Sequence, residues 1–134
     1  MPKALITGVN GFIGNHLTAA FLKKNWQVTG VGGTHTPTIE HNRFIYLGGG
    51  IESLSEENIK NIDYIFHLAF ATNIPTSIDH PVETTKENIG NMIQLLDLSC
   101  RAKVKKFIFV STGSLYGYRT TPWKEEMTPD PIEP

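Results

Sequence analysis

Three glycines near the N-terminus, Gly8, Gly11 and Gly14, restrict the fold of this chain more than any other feature. They follow a short apolar run, Lys3 to Thr7, and open a segment whose apolar residues Phe12, Ile13, Leu17, Ala20 and Phe21 recur at helical spacing. A strand buried on both faces, a glycine turn and a helix are predicted in that order. Gly8 permits a tight turn, Gly11 lets backbone approach a pyrophosphate, and Gly14 lets the helix lie close to the strand. The helix then presents free N–H groups and its positive dipole end to phosphate. The competing interpretation is a strand–helix turn that is merely glycine-rich.

Beyond the first helix, which Asn25 is expected to end, the pattern alternates. Strands are predicted at Gln27 to Val31, Arg43 to Leu47, Tyr64 to Leu68 and Lys106 to Val110. A short helix is predicted from Ser53 to Asn61, with Ser53 as N-cap and Glu56 three residues on. A long amphipathic helix is predicted from Thr84 to Arg101. Such alternation implies a parallel sheet with helices on both faces. Thr120 to Pro134 holds four of the eight prolines, so it continues neither a helix nor a central strand.

A chain of 134 residues reads as one domain, and 40% hydrophobic against 19% charged residues predicts a packed globule. The net charge of −1 gives no basic excess for a nucleic acid partner. Lys103, Lys105 and Lys106 read as a solvated turn rather than a phosphate site. Cys100 stands alone, excluding an internal disulfide, and is expected to be a small core residue. No apolar run approaches the ~18 residues of a membrane span. Met1-Pro2-Lys3 leads straight into a strand without a signal peptide, so a cytoplasmic location is expected. The five histidines show no metal-ligand spacing, and no metal is expected.

The glycine spacing G-x-x-G-x-x-G, continuing as Gly11-Phe12-Ile13-Gly14, resembles the extended short-chain dehydrogenase/reductases. Within them it resembles the NAD-dependent epimerase/dehydratase family of nucleotide-sugar enzymes. Three further segments are similar to that family in order and spacing: Phe66 to Ala69, Glu87 to Gly90, and Phe109 to Gly117. The resemblance covers essentially the whole chain. It implies a Rossmann-like, doubly wound parallel sheet of five strands in order 3-2-1-4-5. It also implies an NAD(P)-binding domain over residues 1–117 and a proline-rich tail, 118–134, leading toward a missing C-terminal part. By the same resemblance the cofactor residues are Gly8, Asn10, Gly11, Phe12, Ile13, Gly14, Gly32, Gly50, Ile51, Leu68, Ala69, Phe70, Asn88, Val110 and Ser111.

Two departures fall on the adenosine half. Where NAD-using members place an acidic residue against the ribose, this chain has Gly32, followed by Gly33-Thr34-His35. Where members carry Gly-Asp-Ile or Gly-Asp-Leu, whose Asp contacts adenine, this chain has Gly49-Gly50-Ile51. The missing ribose carboxylate would tolerate a 2′-phosphate, yet no arginine directly follows Gly32; His35 and Arg43 are the nearest candidates. NAD and NADP both stay open, and weak dinucleotide binding is expected.

On the catalytic side the resemblance places Thr112, with Ser111 beside it, where a hydroxyl meets the reacting group; a plain cap of the strand end is the alternative. The family's Tyr-x-x-x-Lys pair would follow about two dozen residues on. Thr120 stands four residues after Tyr116, and Pro122 four after Tyr118, so neither Tyr forms that pair. Loss of an acid/base group costs roughly 10²- to 10⁴-fold in rate. The expected function is therefore the cofactor-binding portion of an epimerase or dehydratase, inactive as it stands. The alternatives are a silent dinucleotide sensor or interaction module, and a structural domain that binds nothing. The partners expected are the dinucleotide, a sugar nucleotide in a full-length parent, and a second copy of the chain through the last strand or a bare helix face.

Overall fold

Lys3–Thr7 forms β1, the middle strand of the sheet. In this computed structural model, which describes residues 1–33, 35 and 37–132, Ala4, Leu5, Ile6 and Thr7 have no exposed surface. A central parallel strand needs such a run, because helices cover both of its faces. β2 (Gln27–Val31) and β4 (Tyr64–His67) flank it, β3 (Phe44–Leu47) lies beyond β2, and β5 (Lys106–Phe109) beyond β4. All pairings are parallel, and the order is 3-2-1-4-5 as expected. The strands finish in register: Thr7 pairs with Val31 and His67, Val31 with Leu47, and His67 with Phe109.

Period-two alternation divides the core between the two faces. Ile6, Leu22 and Val28 pack with Leu17, Phe21, Trp26 and Phe66 under α1 (Phe12–Lys23). Leu5, Val31, Ile59, Ile65, Leu95 and Leu98 fill the other side, under α2 (Glu56–Ile59) and α4 (Pro81–Arg101). Asn25 ends α1 as expected, in the left-handed conformation (φ 60°). Its N–H donates to Leu22 O at 3.1 Å and the Trp26 N–H donates to Phe21 O at 3.0 Å, the Schellman pairing. The Phe21 and Trp26 rings stack 4.5 Å apart across that turn, the apolar contact that accompanies it.

Several boundaries differ from expectation. β3 begins at Phe44, and β4 and β5 stop at His67 and Phe109. The helix predicted from Ser53 splits into a 3₁₀ turn, Ile51–Ser53, and α2. Ser55, not Ser53, caps α2: its backbone N–H donates to Asn58 Oδ1 at 2.8 Å and its side chain takes the reciprocal bond, a capping box with Asn in place of Glu. α4 begins at Pro81, where a missing N–H and a fixed φ suit the first helical position. α3 (Ile74–Asp79) was not anticipated; the Asn73 side chain caps it by accepting the Thr76 N–H at 2.9 Å. Cys100 is exposed rather than in the core, because α4 buries its Leu95, Leu98 and Ser99 face. The tail folds back on the 3₁₀ turn Gly113–Tyr116: the Asp130 N–H donates to Leu115 O at 2.9 Å and the Trp123 indole donates to Arg119 O at 3.0 Å. Thr34, Glu133 and Pro134, named in the expectations, lie outside the described residues. Among the described residues no helix is long and apolar enough to cross a membrane.

Candidate functional site

The direction in which the chain winds reverses between β1 and β4, so a crevice opens there at the C-terminal strand ends. The β1–α1 turn sits at this point. Gly8 has φ +68°, and a Cβ on it would lie 3.0 Å from Ala69 N and 3.1 Å from Leu68 C. The glycine therefore serves both the turn and its contact with the chain leaving β4. A Cβ at Gly14 would strike Gly8 O and come within 2.9 Å of Val9 Cα, which is the close helix–strand approach expected of that position. Gly11 is the N-cap of α1, donates to Gly8 O at 2.9 Å, and offers no side chain to cap the helix. The first N–H groups of α1, at Phe12 and Ile13, thus lack a side-chain acceptor. Both side chains are exposed, the Phe12 ring lying 4.5 Å from that of His16.

The positions expected on the adenosine side form a tight polar knot. Asn10 Nδ2 donates to His35 O and stands 3.4 Å from Tyr46 Oη, while the Tyr46 hydroxyl lies 2.7 Å from His35 O and 3.2 Å from Gly33 O. A Cβ at Gly32 would fall 2.6 Å from Asn10 Nδ2 and 3.0 Å from Tyr46 Oη, so the loss of the acidic residue goes with a loop packed onto these side chains. Tyr46 had no signal in the sequence beyond its place in a strand. Gly50 has φ 75° and ψ −174°, a region open essentially only to glycine, so no Asp fits this backbone. The Ile51 side chain is buried in the core, and its carbonyl accepts from Gln94 Nε2 of α4 at 3.2 Å. Arg43, one of two candidates for a 2′-phosphate, precedes β3 and is therefore at the opposite end of the sheet. Its guanidinium donates to Leu22 O at 3.3 Å and Asn25 Oδ1 at 3.1 Å. His35, the other candidate, holds its place through its backbone carbonyl.

At the end of β4 the residues interlock. Thr7 Oγ1 accepts the N–H groups of Leu68 and Ala69, each at 3.1 Å, and lies 2.8 Å from His67 Nδ1. An oxygen already accepting twice gives its own proton to Nδ1, which places the imidazole proton on Nε2. His67 is the last residue of β4 and is fully buried. Nε2 has no partner among the described residues and faces an aromatic wall, with Phe70, Phe107 and Phe109 centroids at 4.7, 6.0 and 6.3 Å. Burial pushes the His67 pKa down. Asn88 turns its amide to the backbone: Oδ1 accepts Ala71 N–H at 2.8 Å and Nδ2 donates to Ala71 O at 3.2 Å.

Beyond β5, Val110 N–H donates to His67 O at 3.3 Å, and Ser111 is exposed. Thr112 Oγ1 accepts Ser114 N–H at 3.1 Å and so caps the following 3₁₀ turn, leaving its own O–H proton available. The structure thus gathers the glycine turn, Leu68 to Phe70 and Val110 to Thr112 at one end of the sheet, with Gly32 and Gly50 toward its β3 edge.

Comparison with known proteins bears on the family and the fold. The NAD dependent epimerase/dehydratase family matches residues 4–134. The chain is 34% identical over 131 residues to a dTDP-D-glucose 4,6-dehydratase of Dictyostelium discoideum, covering 87% of this chain and 30% of that one. A UDP-N-acetylglucosamine 4-epimerase from Methanobrevibacter ruminantium M1, solved in complex with UDP-N-acetylmuramic acid, superposes with a TM-score of 0.86 at 26% identity, over 98% of this chain and 45% of that one. A UDP-glucuronic acid 4-epimerase from Bacillus cereus, solved with UDP-glucuronic acid and NAD, gives 0.85 at 30% identity, over 98% and 46%. The chain spans less than half the length of each of these relatives.

Proposed function

The chain belongs to the NAD dependent epimerase/dehydratase family, and from that premise we propose that its strand-end crevice binds a nicotinamide dinucleotide. The observation that carries this is the β1–α1 turn, where Gly8, Gly11 and Gly14 bring an uncapped helix N-terminus to the reversal point of the sheet. The residues fit the group. Side chains at Gly8 and Gly14 would collide with backbone, and Gly11 leaves room for a pyrophosphate against the N–H groups of Phe12 and Ile13. Leu68, Ala69, Phe70, Val110 and Ser111 border the same crevice on the nicotinamide side. When bound, the cofactor accepts and returns a hydride.

This chain's residues hold and orient. Thr112, with its oxygen committed to Ser114, keeps an O–H that would donate to a substrate hydroxyl or carbonyl, and Ser111 stands beside it. Asn88 and Thr7 fix the backbone after β4 that forms the floor. No Tyr of the sequence is followed four residues later by Lys. We therefore read the chain as the cofactor-binding portion of a nucleotide-sugar epimerase or dehydratase, with its substrate a sugar nucleotide in the longer protein and no turnover alone. The glycines at 32 and 50 favour a second reading, a silent dinucleotide sensor, and both readings imply weak affinity.

The test is calorimetric titration with NAD and NADP, followed by amide resonances. Binding in the micromolar range with shifts at Gly8 to Gly14 supports the proposal. No shift there at millimolar dinucleotide would overturn it, and nanomolar affinity would overturn the claim of weak binding. The longer protein separates the two readings: a Tyr-x-x-x-Lys pair there favours the enzyme, its absence the sensor.

A further inference from the structure

Thr7 Oγ1 makes as many hydrogen bonds as a hydroxyl can. It accepts the N–H groups of Leu68 and Ala69, each at 3.1 Å, and gives its own proton to His67 Nδ1 at 2.8 Å. Thr7 and His67 have no exposed surface, so neither group can turn to water instead. The arrangement holds only while Nδ1 is an acceptor. An imidazolium carries a proton on both nitrogens and accepts nothing. Its Nδ1–H would be a third donor aimed at an oxygen with two lone pairs, and the Thr7 O–H would lose its acceptor. One of the two backbone N–H groups must then let go.

Those N–H groups belong to the chain against which the glycine turn packs. The Cβ position of Gly8 lies 3.0 Å from Ala69 N and 3.1 Å from Leu68 C, and Gly8 follows Thr7 directly. The Gly11 N–H donates to Gly8 O at 2.9 Å, which carries the contact on to the start of α1. We propose, on the reading that a dinucleotide binds at this turn, that neutral His67 holds the turn in its binding shape and protonated His67 releases it. His67 is a positioning residue, fully buried and acting through Thr7. β1 presents Thr7 to the ring, β5 presents Phe107 and Phe109, and the chain after β4 presents Phe70, none of which titrates. Burial lowers the His67 pKa, with no neighbouring charge contributing. Charging the exposed His16, near the start of α1, would draw phosphate closer and so has the opposite sign.

The experiment titrates NAD into the 134-residue chain by calorimetry from about pH 7.5 downward, in wild type and in His16→Gln. Nuclear magnetic resonance follows the His67 imidazole and the Leu68 and Ala69 amides in the same samples. Affinity should hold while the imidazole is neutral and fall as it charges, the charged form binding about tenfold more weakly, the size of one lost hydrogen bond. Bound NAD should in turn push the His67 titration to lower pH. His67→Asn, which keeps an acceptor for Thr7 and cannot charge, should remove the pH dependence, and Thr7→Ser should keep it. An imidazole that charges with no change in NAD affinity, or that stays neutral until the chain unfolds, would overturn this inference and leave the dinucleotide reading standing. So would an undiminished pH dependence in His67→Asn. No binding of NAD even at the starting pH would overturn both.

Discussion

Thr7 Oγ1 and His67 Nδ1 lie 2.8 Å apart across the β1–β4 pair, joining two buried polar side chains at directly opposed register positions. The same oxygen receives the Leu68 and Ala69 N–H groups. One hydroxyl therefore satisfies two backbone donors as the chain leaves the sheet and fixes the imidazole tautomer. Unpaired, each buried donor would cost roughly 1–3 kcal/mol.

This pairing makes stability depend on pH. Burial depresses the folded pKa of His67 below its ordinary value near ~6.5. Below that value the unfolded chain binds a proton that the native chain refuses. Stability contributed by the neutral imidazole is fully present above about pH 6.5 and is lost as pH falls toward the folded pKa. The slope is at most about 1.4 kcal/mol per pH unit for one proton. Urea unfolding from pH 8 to 5.5 should show it. His67→Asn, which keeps an acceptor for Thr7, should flatten the curve; an unchanged slope would rule His67 out as its source.

Two glycine-to-alanine changes should move stability in opposite directions. In Gly14→Ala the new methyl meets the backbone of Gly8 and Val9, which cannot step aside, and a loss of about 1–3 kcal/mol is expected along with weakened dinucleotide binding. Gly90, exposed inside α4, has open space around its Cβ position. Gly90→Ala should stabilise by up to about 1 kcal/mol. Thermal unfolding of both variants decides the matter, and equal shifts would discredit the steric account of Gly14.

Restoring an acidic residue after β2 should not improve binding. The side chain of Gly32→Asp would displace Asn10 and Tyr46 from the carbonyls of Gly33 and His35. We expect about 1–2 kcal/mol of destabilisation and no gain in NAD affinity by calorimetry. A tenfold gain would mean that the polar knot yields easily.

The outer face of α4 exposes Ile89, Ile93 and Leu96, spaced to lie along one stripe. β5 is an edge strand, with Phe109 and Val110 near its end also exposed. Such surfaces seek partners, and concentration-dependent self-association is expected in sedimentation velocity at tens of micromolar. Ile93→Glu should shift the distribution toward monomer. No change with Ile93→Glu would move attention to the β5 edge.

The parts of the fold that the sequence discloses are those set by local steric rules. The glycine turn is legible because Gly8 and Gly14 answer to backbone collisions within a few residues or with a neighbouring strand. The central strands are legible because burial on both faces leaves an unbroken apolar run. What escapes is set by tertiary packing. α3 is only six residues long and too short for periodicity, although Asn73 and Pro75 mark its start. The α2 cap moved to Ser55 because Ile51 to Ser53 forms its own turn over a buried Ile51. At the site, nothing local in Tyr46 tells that it clamps the loop after β2.

Asn88 holds both the N–H and the C=O of Ala71 with one amide, as a neighbouring strand would. The link is rigid because a two-point bond resists rotation as well as stretching. It joins a long surface helix to the backbone that follows β4, at the residue immediately before Ile89 of the apolar stripe. A protein docking on that stripe would therefore load the backbone that follows β4 through a single amide.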